Sequence, residues 1–556
     1  MKKNIEYYKK RFSKMEIEKN KNDIKYENVN RFVLLEGDYD TDDSTDNDKE
    51  AYDSTAPNSL KKAVSMYMGI MWPNAQRTVK LNLVDKIPKI KENIDWIARS
   101  NKTLTKALDS PEVGYNLSLE THVSNNLAFG PGATFLSEDE DTDFKFTSWG
   151  INNIYFEEGR HGFINVIYYK DTWTAERIVD TYGINKVSAK VNEAYKNGRT
   201  SDKFAIIQAI EPVKGAKKKD AFKFESVHFE MDGKSFLKKA KFYERPVTVS
   251  RFYKDSDSPY GKSPSIITMA TIIEINRKIQ LREIILENEA RPALKYDVNA
   301  IAGDEIDSSP DGMTPINPIL GSTSEPISRL LPSININSIE NEVLRLKESI
   351  NEAFSLDRLL DFNNQTQMTA YETSKRSEIR GQGNTSVFSR YIAEKFTPEI
   401  KRAFAIQFRK GRYGVVKDSD EYNIALEKGE EPELIPDDIA ALIVKGEDFY
   451  EIEYNSPAAS MQSAEELNSI IQLFMQARGL AELDPNVLHL LNTDEALRLI
   501  RKNLAAPQSI LRAEDEVKKI REAIAQQAQA DLERTNQSND LTLQKQMQEA
   551  QNAGQQ

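Results

Sequence analysis

The stretch SPYGKSPS, Ser258–Ser265, decides how this chain is read. Gly261-Lys262-Ser263 is the tail of a phosphate-binding loop, so the first question is whether the chain is a nucleotide hydrolase. Such a loop reads G-x-x-x-x-G-K-[ST], and counting back from Gly261 puts Ser256, not glycine, at its start. The loop must also open directly into a helix whose N-terminal amides meet the phosphate. Pro264 follows Ser263 at once, and Asp255 and Asp257 would repel a triphosphate. The stretch is better read as a turn. Pro259, Gly261 and Pro264 punctuate a passage from strand to helix, with Ser263 as the cap and Pro264 at the first helical position.

Downstream of the turn the sequence predicts its longest helix, about Pro264 to Glu289, with Ile272, Ile275, Ile279 and Leu286 on one face and a Glu274–Lys278 pair four residues apart. At 1.5 Å per residue it spans roughly 40 Å, long for a globular core but natural for a spoke or wall. Arg291 and Pro292 end it. Residues 293–335, rich in Pro, Gly and Ser, form a compact irregular insert before a second helix, about Ile339 to Leu356. Asp361–Thr369, DFNNQTQMT, is polar and uncharged after its first residue. Two helices follow, Ala370–Arg380 and Val387–Lys410. Pro398 lies inside the second, where a proline removes a hydrogen bond, so a bend is expected near Phe396.

Upstream, residues 1–20 read as a charged helix, and Glu36–Asp53 is an acidic tract with nine carboxylates and one lysine. Asp38, Asp40 and Asp42 imitate the start of an EF-hand, but its required glycine is Asp43 and its last glutamate is Lys49, so a surface loop is expected. Helices are predicted at Leu60–Trp72, Asn93–Leu108 and Val113–Leu127. The period then shortens to two, giving strands at Ala133–Leu136, Phe144–Trp149, Ile154–Glu157 and Phe163–Tyr169. Thr172 is expected to cap a helix ending near Gly183, and residues 204–253 return to strands. Lys214–Lys241 carries nine lysines among four acidic residues, read as a solvated strand-and-loop surface. Phe449–Tyr454 is a late strand. From Pro457 on the pattern is helical, and the last 34 residues hold ten glutamines. That tail is either frayed or ordered only against copies of itself.

Composition narrows function by exclusion. The 556 residues amount to roughly three or four domains' worth of chain. Apolar residues make up 39% and charged residues 29%, a balance that suits an elongated or oligomeric protein. There is no cysteine, so disulfides, thiolate catalysis and cysteine zinc sites are absent. The net charge of −12 argues against tight general binding to DNA phosphates. The N-terminus has no apolar signal-peptide core, and no uncharged apolar run of about 18 residues offers a membrane span, so a cytosol-like compartment is expected. His122, His161, His228 and His489 lie far apart, each read as a structural histidine. No GxSxG, HExxH or GxGxxG occurs, and Gly381–Asn384, GQGN, lacks the third glycine. The expectation is a structural or binding assembly, with no catalytic residue, metal or cofactor.

Six stretches, in order, resemble the head-to-tail connector (portal) family of short-tailed, podovirus-type bacteriophages. They are YDSTAPNSLKKAVSMYMGIMWP (Tyr52–Pro73), FGPGATFL (Phe129–Leu136), GFINVIYYKDTWTAERIVDTYG (Gly162–Gly183), RPVTVSRFYKDSDSPYGKSPS (Arg245–Ser265), QMTAYETSKRSE (Gln367–Glu378) and YEIEYNSPAASMQSAEE (Tyr450–Glu466). Each is short, and their shared order and spacing is the stronger signal. The acidic tract, the lysine-rich region and the C-terminal tail have no counterpart in that pattern.

The resemblance implies a helix-rich α+β subunit in which long stem helices join a wing, a clip and a crown. On this chain it lays out an arm over 1–51, a wing over 52–263, a first stem helix over 264–290, a clip over 291–336 and a second stem helix over 337–360. A tunnel-loop region over 361–375 follows, then a kinked helix with wing completion over 376–455, a crown base over 456–505 and a Gln-rich crown or tail over 506–556. It further implies a ring of twelve such subunits at one capsid vertex of the virion, assembled in the bacterial cytoplasm, through which double-stranded DNA passes without sequence specificity. Terminase large subunit and later tail adaptor proteins would dock on the ring, which would itself sit against capsid or scaffold protein. Tunnel-lining candidates are Asn363, Asn364, Gln365, Thr366, Gln367 and Met368; docking candidates are Arg291, Lys295, Asp311 and Asn317. Tyr260, Gly261, Ser263 and Pro264 would form the structural turn, and Pro398 the kink. The alternatives are another phage structural protein, such as a tail adaptor or scaffold component, and more remotely a P-loop hydrolase.

Overall fold

The computed structural model describes residues 3–35, 51–73, 78–213, 222–292, 294–296, 327–329, 336–354, 386–427 and 432–454, with shorter pieces between 469 and 530. In chain order these give α1 (Ile5–Asn20), α2 (Asp23–Val29), a π-helical turn (Asn30–Leu34) and α3 (Thr55–Met71). Then come β1 (Val79–Leu83), α4 (Lys91–Leu108), α5 (Tyr115–Phe129), β2 (Pro131–Asp139), β3 (Asp143–Trp149), β4 (Ile154–Glu158) and β5 (Ile164–Thr174). Next are α6 (Ala175–Tyr182), α7 (Ala189–Lys196), β6 (Lys203–Pro212), β7 (Phe224–Glu230), β8 (Phe236–Phe242) and β9 (Val247–Arg251). After a single turn, Pro264–Ile267, the chain enters α8 (Met269–Ala290), the longest of the described helices. Two short strands, β10 (Leu294–Tyr296) and β11 (Ile327–Arg329), precede α9 (Ile336–Ala353). A second π-helical turn, Ile392–Phe396, leads into α10 (Thr397–Arg409), followed by α11 (Asp420–Glu427), α12 (Asp437–Lys445), β12 (Tyr450–Tyr454) and α13 (Thr493–Asn503). The class is α+β and helix-rich.

The chain divides into two compact units. The first comprises residues 1–70, 114–137 and 145–402. At its centre is a five-stranded antiparallel sheet in the order β4-β5-β6-β7-β8. Its strands alternate, so each face presents an apolar set. On one face α1 lays Ile5, Tyr8, Phe12 and Met15 over Tyr155, Tyr168, Ile207 and Phe229. On the other, α6 and α7 bury Ile178, Tyr182 and Val191 against Ile206 and Leu237. The α1 side also holds a buried carboxylate. Glu211 accepts from the Tyr168 hydroxyl at 2.6 Å, pairs with Lys3 at 2.7 Å and lies 3.1 Å from Arg11. The amphipathic arm is thus fixed both by apolar burial and by a neutralised charge.

One sequence expectation fails here. Thr172 does not cap α6; the cap is Thr174, whose side chain accepts from the Arg177 N–H. Strand β5 continues to that residue because it pairs with β6 from Ile167 to Thr174, Thr172 opposite Ala205 and Thr174 opposite Lys203. Ladder pairing outweighs the capping preference of the earlier threonine.

A second, three-stranded sheet runs β3-β2-β9. The second unit comprises residues 71–113, 138–144 and 403–556. In it β1 pairs antiparallel with β12, Leu81 opposite Ile452. Helix α4 closes this ribbon, with the Asn101 side chain donating to the Leu81 carbonyl at 2.8 Å and accepting its N–H at 2.7 Å. Trp96 is fully buried and donates its indole N–H to the Tyr413 carbonyl at 2.8 Å, while Phe404 stacks on Tyr413 at 4.6 Å. Among the described residues no helix is long and apolar enough to cross a membrane.

Candidate functional site

The stretch from Tyr253 to Thr268 is a closed turn that aims a helix. Tyr253 and Lys262 exchange both backbone hydrogen bonds, at 3.0 and 2.9 Å. Gly261 sits at φ +69°, and a Cβ there would lie 2.3 Å from the Tyr253 carbonyl oxygen, so the close approach demands glycine. Tyr260 is fully buried with its ring 4.2 Å from that of Phe156. Ser263 Oγ donates to the Ala128 carbonyl at 2.8 Å and accepts from the Ile266 N–H at 3.0 Å, capping the helical turn that Pro264 begins. Lys262 and Ser263 therefore spend on the protein itself the groups a phosphate cradle would offer. Half-exposed Lys262 pairs with Asp255 at 3.1 Å.

The expected continuous helix is interrupted. Thr268 adopts non-helical angles, donates its hydroxyl to the Pro264 carbonyl at 2.7 Å and separates the first turn from α8. Helix α8 then spans 22 residues, roughly 33 Å. It buries Ile272, Ile275, Ile279 and Ile285, whereas Leu286, expected on that face, is exposed. Lys278 pairs with Glu342 of α9 at 3.2 Å rather than with Glu274. Strand β10 joins β11 antiparallel, Lys295 opposite Ser328, so helix, ribbon and helix form one hairpin.

The base of that hairpin is pinned to the segment Tyr52–Thr55. Asn276 of α8 is buried, and its side-chain oxygen accepts the backbone N–H groups of Tyr52 at 2.7 Å and Asp53 at 3.0 Å. Asp53 in turn accepts the Thr55 N–H at 2.9 Å and its hydroxyl at 3.0 Å, starting α3. From α3, Ser59 donates to Asn351 of α9 at 2.7 Å.

A buried polar cluster joins α5, β2, β9 and the second π-helical turn. Lys395 is wholly buried and donates to Glu399 at 2.8 Å and to Thr134 at 2.9 Å. Glu399 also accepts from Thr248 at 2.6 Å. His122 lies between Thr134 and Ser250, 2.8 and 2.7 Å away. Arg251 donates to Glu394 at 2.6 Å. Burial lowers the Lys395 pKa, and burial, then the Lys395 charge, holds His122 well below its ordinary value.

Of the residues singled out from sequence, Tyr260, Gly261, Ser263 and Pro264 meet in the turn. Arg291 is the C-cap of α8, and Lys295 lies in β10. Pro398 lies inside an unbroken helical run, 386–409, directly after the π-helical turn Ile392–Phe396, where the regular i to i−4 ladder is already interrupted. Asp311, Asn317 and the segment Asn363–Met368 lie outside the described residues. Sequence reading missed Asn276, Lys395 and Glu399. A lysine and a glutamate four apart read as an ordinary surface pair, and only the apolar neighbours Ile392, Phe396 and Ile400 hint at burial.

A family model described as bacteriophage head to tail connecting protein matches residues 6–416. A portal protein of Salmonella phage epsilon15 is 23% identical over 416 residues, which cover 72% of this chain and 69% of that protein. A chain from the virion of a native gene transfer agent particle aligns with 68% of this chain and 91% of its own length at 12% identity, with a TM-score of 0.29. Matched over most of its length by that family model, the chain belongs to the bacteriophage head to tail connecting protein family.

Proposed function

We propose that this head-to-tail connector acts as a portal: a closed ring of twelve copies at one capsid vertex, with DNA passing through its centre during packaging and ejection. The observation that carries the reading is the α8–ribbon–α9 hairpin. Leu281, Ile284, Leu286 and Leu344 are 46%, 48%, 42% and 57% exposed on it. They are not confined to one side of the pair, so a single partner would leave some of them wet. A subunit flanked by a copy on each side covers both, as a head-to-tail ring interface does.

In this reading the ribbon region, with Arg291, Lys295, Asp311 and Asn317, is where terminase and later tail proteins dock. The neutral polar segment Asp361–Thr369 lines the conduit, where strong phosphate contacts would hold DNA still. No separate observation favours a tail-adaptor or scaffold role. Native mass measurement and electron microscopy of the purified chain test the proposal. Closed rings with one copy number are expected; a monomer at every concentration overturns it.

A further inference from the structure

Two charged segments are left over: the acidic tract and the lysine-rich region. Part of the second is described in detail. Strand β8 is an outer strand of the five-stranded sheet, so among the described residues its outer backbone edge has no strand partner. Along it Lys238, Lys239 and Lys241 are exposed, as is Lys234 in the turn before it. Lys238 stands opposite His228 on the α6 face, while Lys239 and Lys241 stand opposite Val227 and Glu225 on the α1 face. The edge is thus positive on both sides. The carboxylates of the neighbouring strand are already engaged: Glu225 by Lys3, Glu230 by the Ser188 N–H, and Asp232 beyond it by Lys190. Among the described residues no carboxylate pairs with Lys234, Lys238, Lys239 or Lys241. Lysines on an edge discourage pairing with another strand, and the same charges suit an extended anionic segment.

The chain carries such a segment. Residues 36–50 hold eight carboxylates against Lys49. Six aspartates with Gly37 and Asn47 make it poor in strand propensity, so charge rather than ladder pairing would hold it. Its place in the fold says whose edge it meets. The arm leading into it packs through α2 on α5, where Tyr26 meets Phe129 edge to face at 5.4 Å, and the chain leaving it is tied by Tyr52 to Asn276. The first attachment lies on the β4 side of the sheet, since Gly130 at the end of α5 abuts Tyr260, whose ring meets Phe156. From β4 to β8 is four strand spacings, roughly 19 Å. Fifteen residues tethered at both ends reach at most about 25 Å. Within one chain, at most the tip would touch β8, whereas a strap of several carboxylates must lie along it.

We infer that the acidic tract of one copy docks on the lysine-bearing β8 edge of a second copy, an electrostatic strap between adjacent subunits. The inference rests on the ring reading. The test co-assembles full-length chain in natural-abundance and 15N-labelled forms, then couples carboxylates to lysine amines with a zero-length carbodiimide. Mixed-isotope crosslinks between residues 36–50 and Lys234, Lys238, Lys239 or Lys241 are expected. They should vanish at high salt, and the crosslink to the unchanged Lys234 should be lost in both the Lys238→Glu/Lys239→Glu/Lys241→Glu and the corresponding Lys→Gln variants. They should return when Asp42, Asp43, Asp46 and Asp48 are changed to lysine against the glutamate-bearing edge. Crosslinks confined to single-isotope pairs would place the contact within one chain and overturn the strap. So would intact rings without these crosslinks, or an edge whose lysines are needed only to retain DNA in a gel shift. Absence of rings by microscopy would instead remove the portal reading, an outcome distinct from both.

Discussion

Asn276 holds Asp53: its side-chain oxygen accepts that residue's backbone N–H at 3.0 Å, while its own amide donates to the Ile272 carbonyl at 2.7 Å. One buried side chain thereby couples the middle of the long helix to the start of α3. Asn276→Leu strands the Tyr52 and Asp53 N–H groups. At about 1–3 kcal/mol for each buried unsatisfied group, the expected loss is roughly 2–4 kcal/mol. Urea midpoints measure it, with the Ser59→Ala variant expected to lose less.

The Lys395–Glu399 pair calls for a double-mutant cycle. Lys395→Met leaves a buried carboxylate without its cation, at a cost of about 3–5 kcal/mol. Adding Glu399→Gln removes the orphaned charge while keeping an acceptor for Thr248, so the double variant should recover much of the loss. Strictly additive losses would show that the two side chains do not act as a unit.

Acid should weaken the fold through its buried histidines. Burial, then the Lys238 charge, pushes His228 down to about 4. Because the folded value lies below the unfolded one, about 6.5, the unfolded chain takes up the proton first as pH falls. Stability is full above about pH 6.5 and is lost as pH falls toward 4, on the order of 1.4 kcal/mol per pH unit at the steepest. His122 acts in the same direction. The stability gap between the parent and His228→Gln should therefore narrow below pH 6.5, measured as urea midpoints across pH 8 to 4.

The turn yields a pair of opposite outcomes. Gly261→Ala faces both a positive φ and a 2.3 Å approach to a carbonyl, and should cost about 2 kcal/mol or more. Lys262→Ala loses one exposed ion pair, within about 1 kcal/mol. Neither change should alter nucleotide hydrolysis; turnover that depends on Lys262 would revive the phosphate-loop reading.

Lysines placed within Asp361–Thr369 should slow DNA packaging and leave ring assembly intact, by adding phosphate contacts to a neutral conduit. If the ring is lost instead, the segment belongs to a subunit interface.

Much of the secondary structure was legible because one face of each element is apolar. The strand periodicity of 154–169 and the helical spacing of 93–108 both survive into the fold. The failures share a cause: partners distant in sequence. Pairing with Ala205 and Lys203 kept Thr172 in a strand. Glu342 drew Lys278 away from Glu274. The Thr268 interruption is the exception, a local one: its hydroxyl donates to the Pro264 carbonyl four residues back, which propensity does not register. The turn was readable since Gly, Ser and Pro each act locally. Asn276 was not, since its partners lie more than 200 residues earlier.

The latch of α1 on the sheet has a consequence in time. Phe12 is made long before Phe229, the last β7 residue in its cluster. At 5–20 residues per second, the 217 residues between them take roughly 10–40 s to synthesise. For that interval the helix has no complete sheet to cover. Half of its sixteen residues are charged, which keeps it in solution until the last strands emerge; a more apolar arm would dock as well and wait badly.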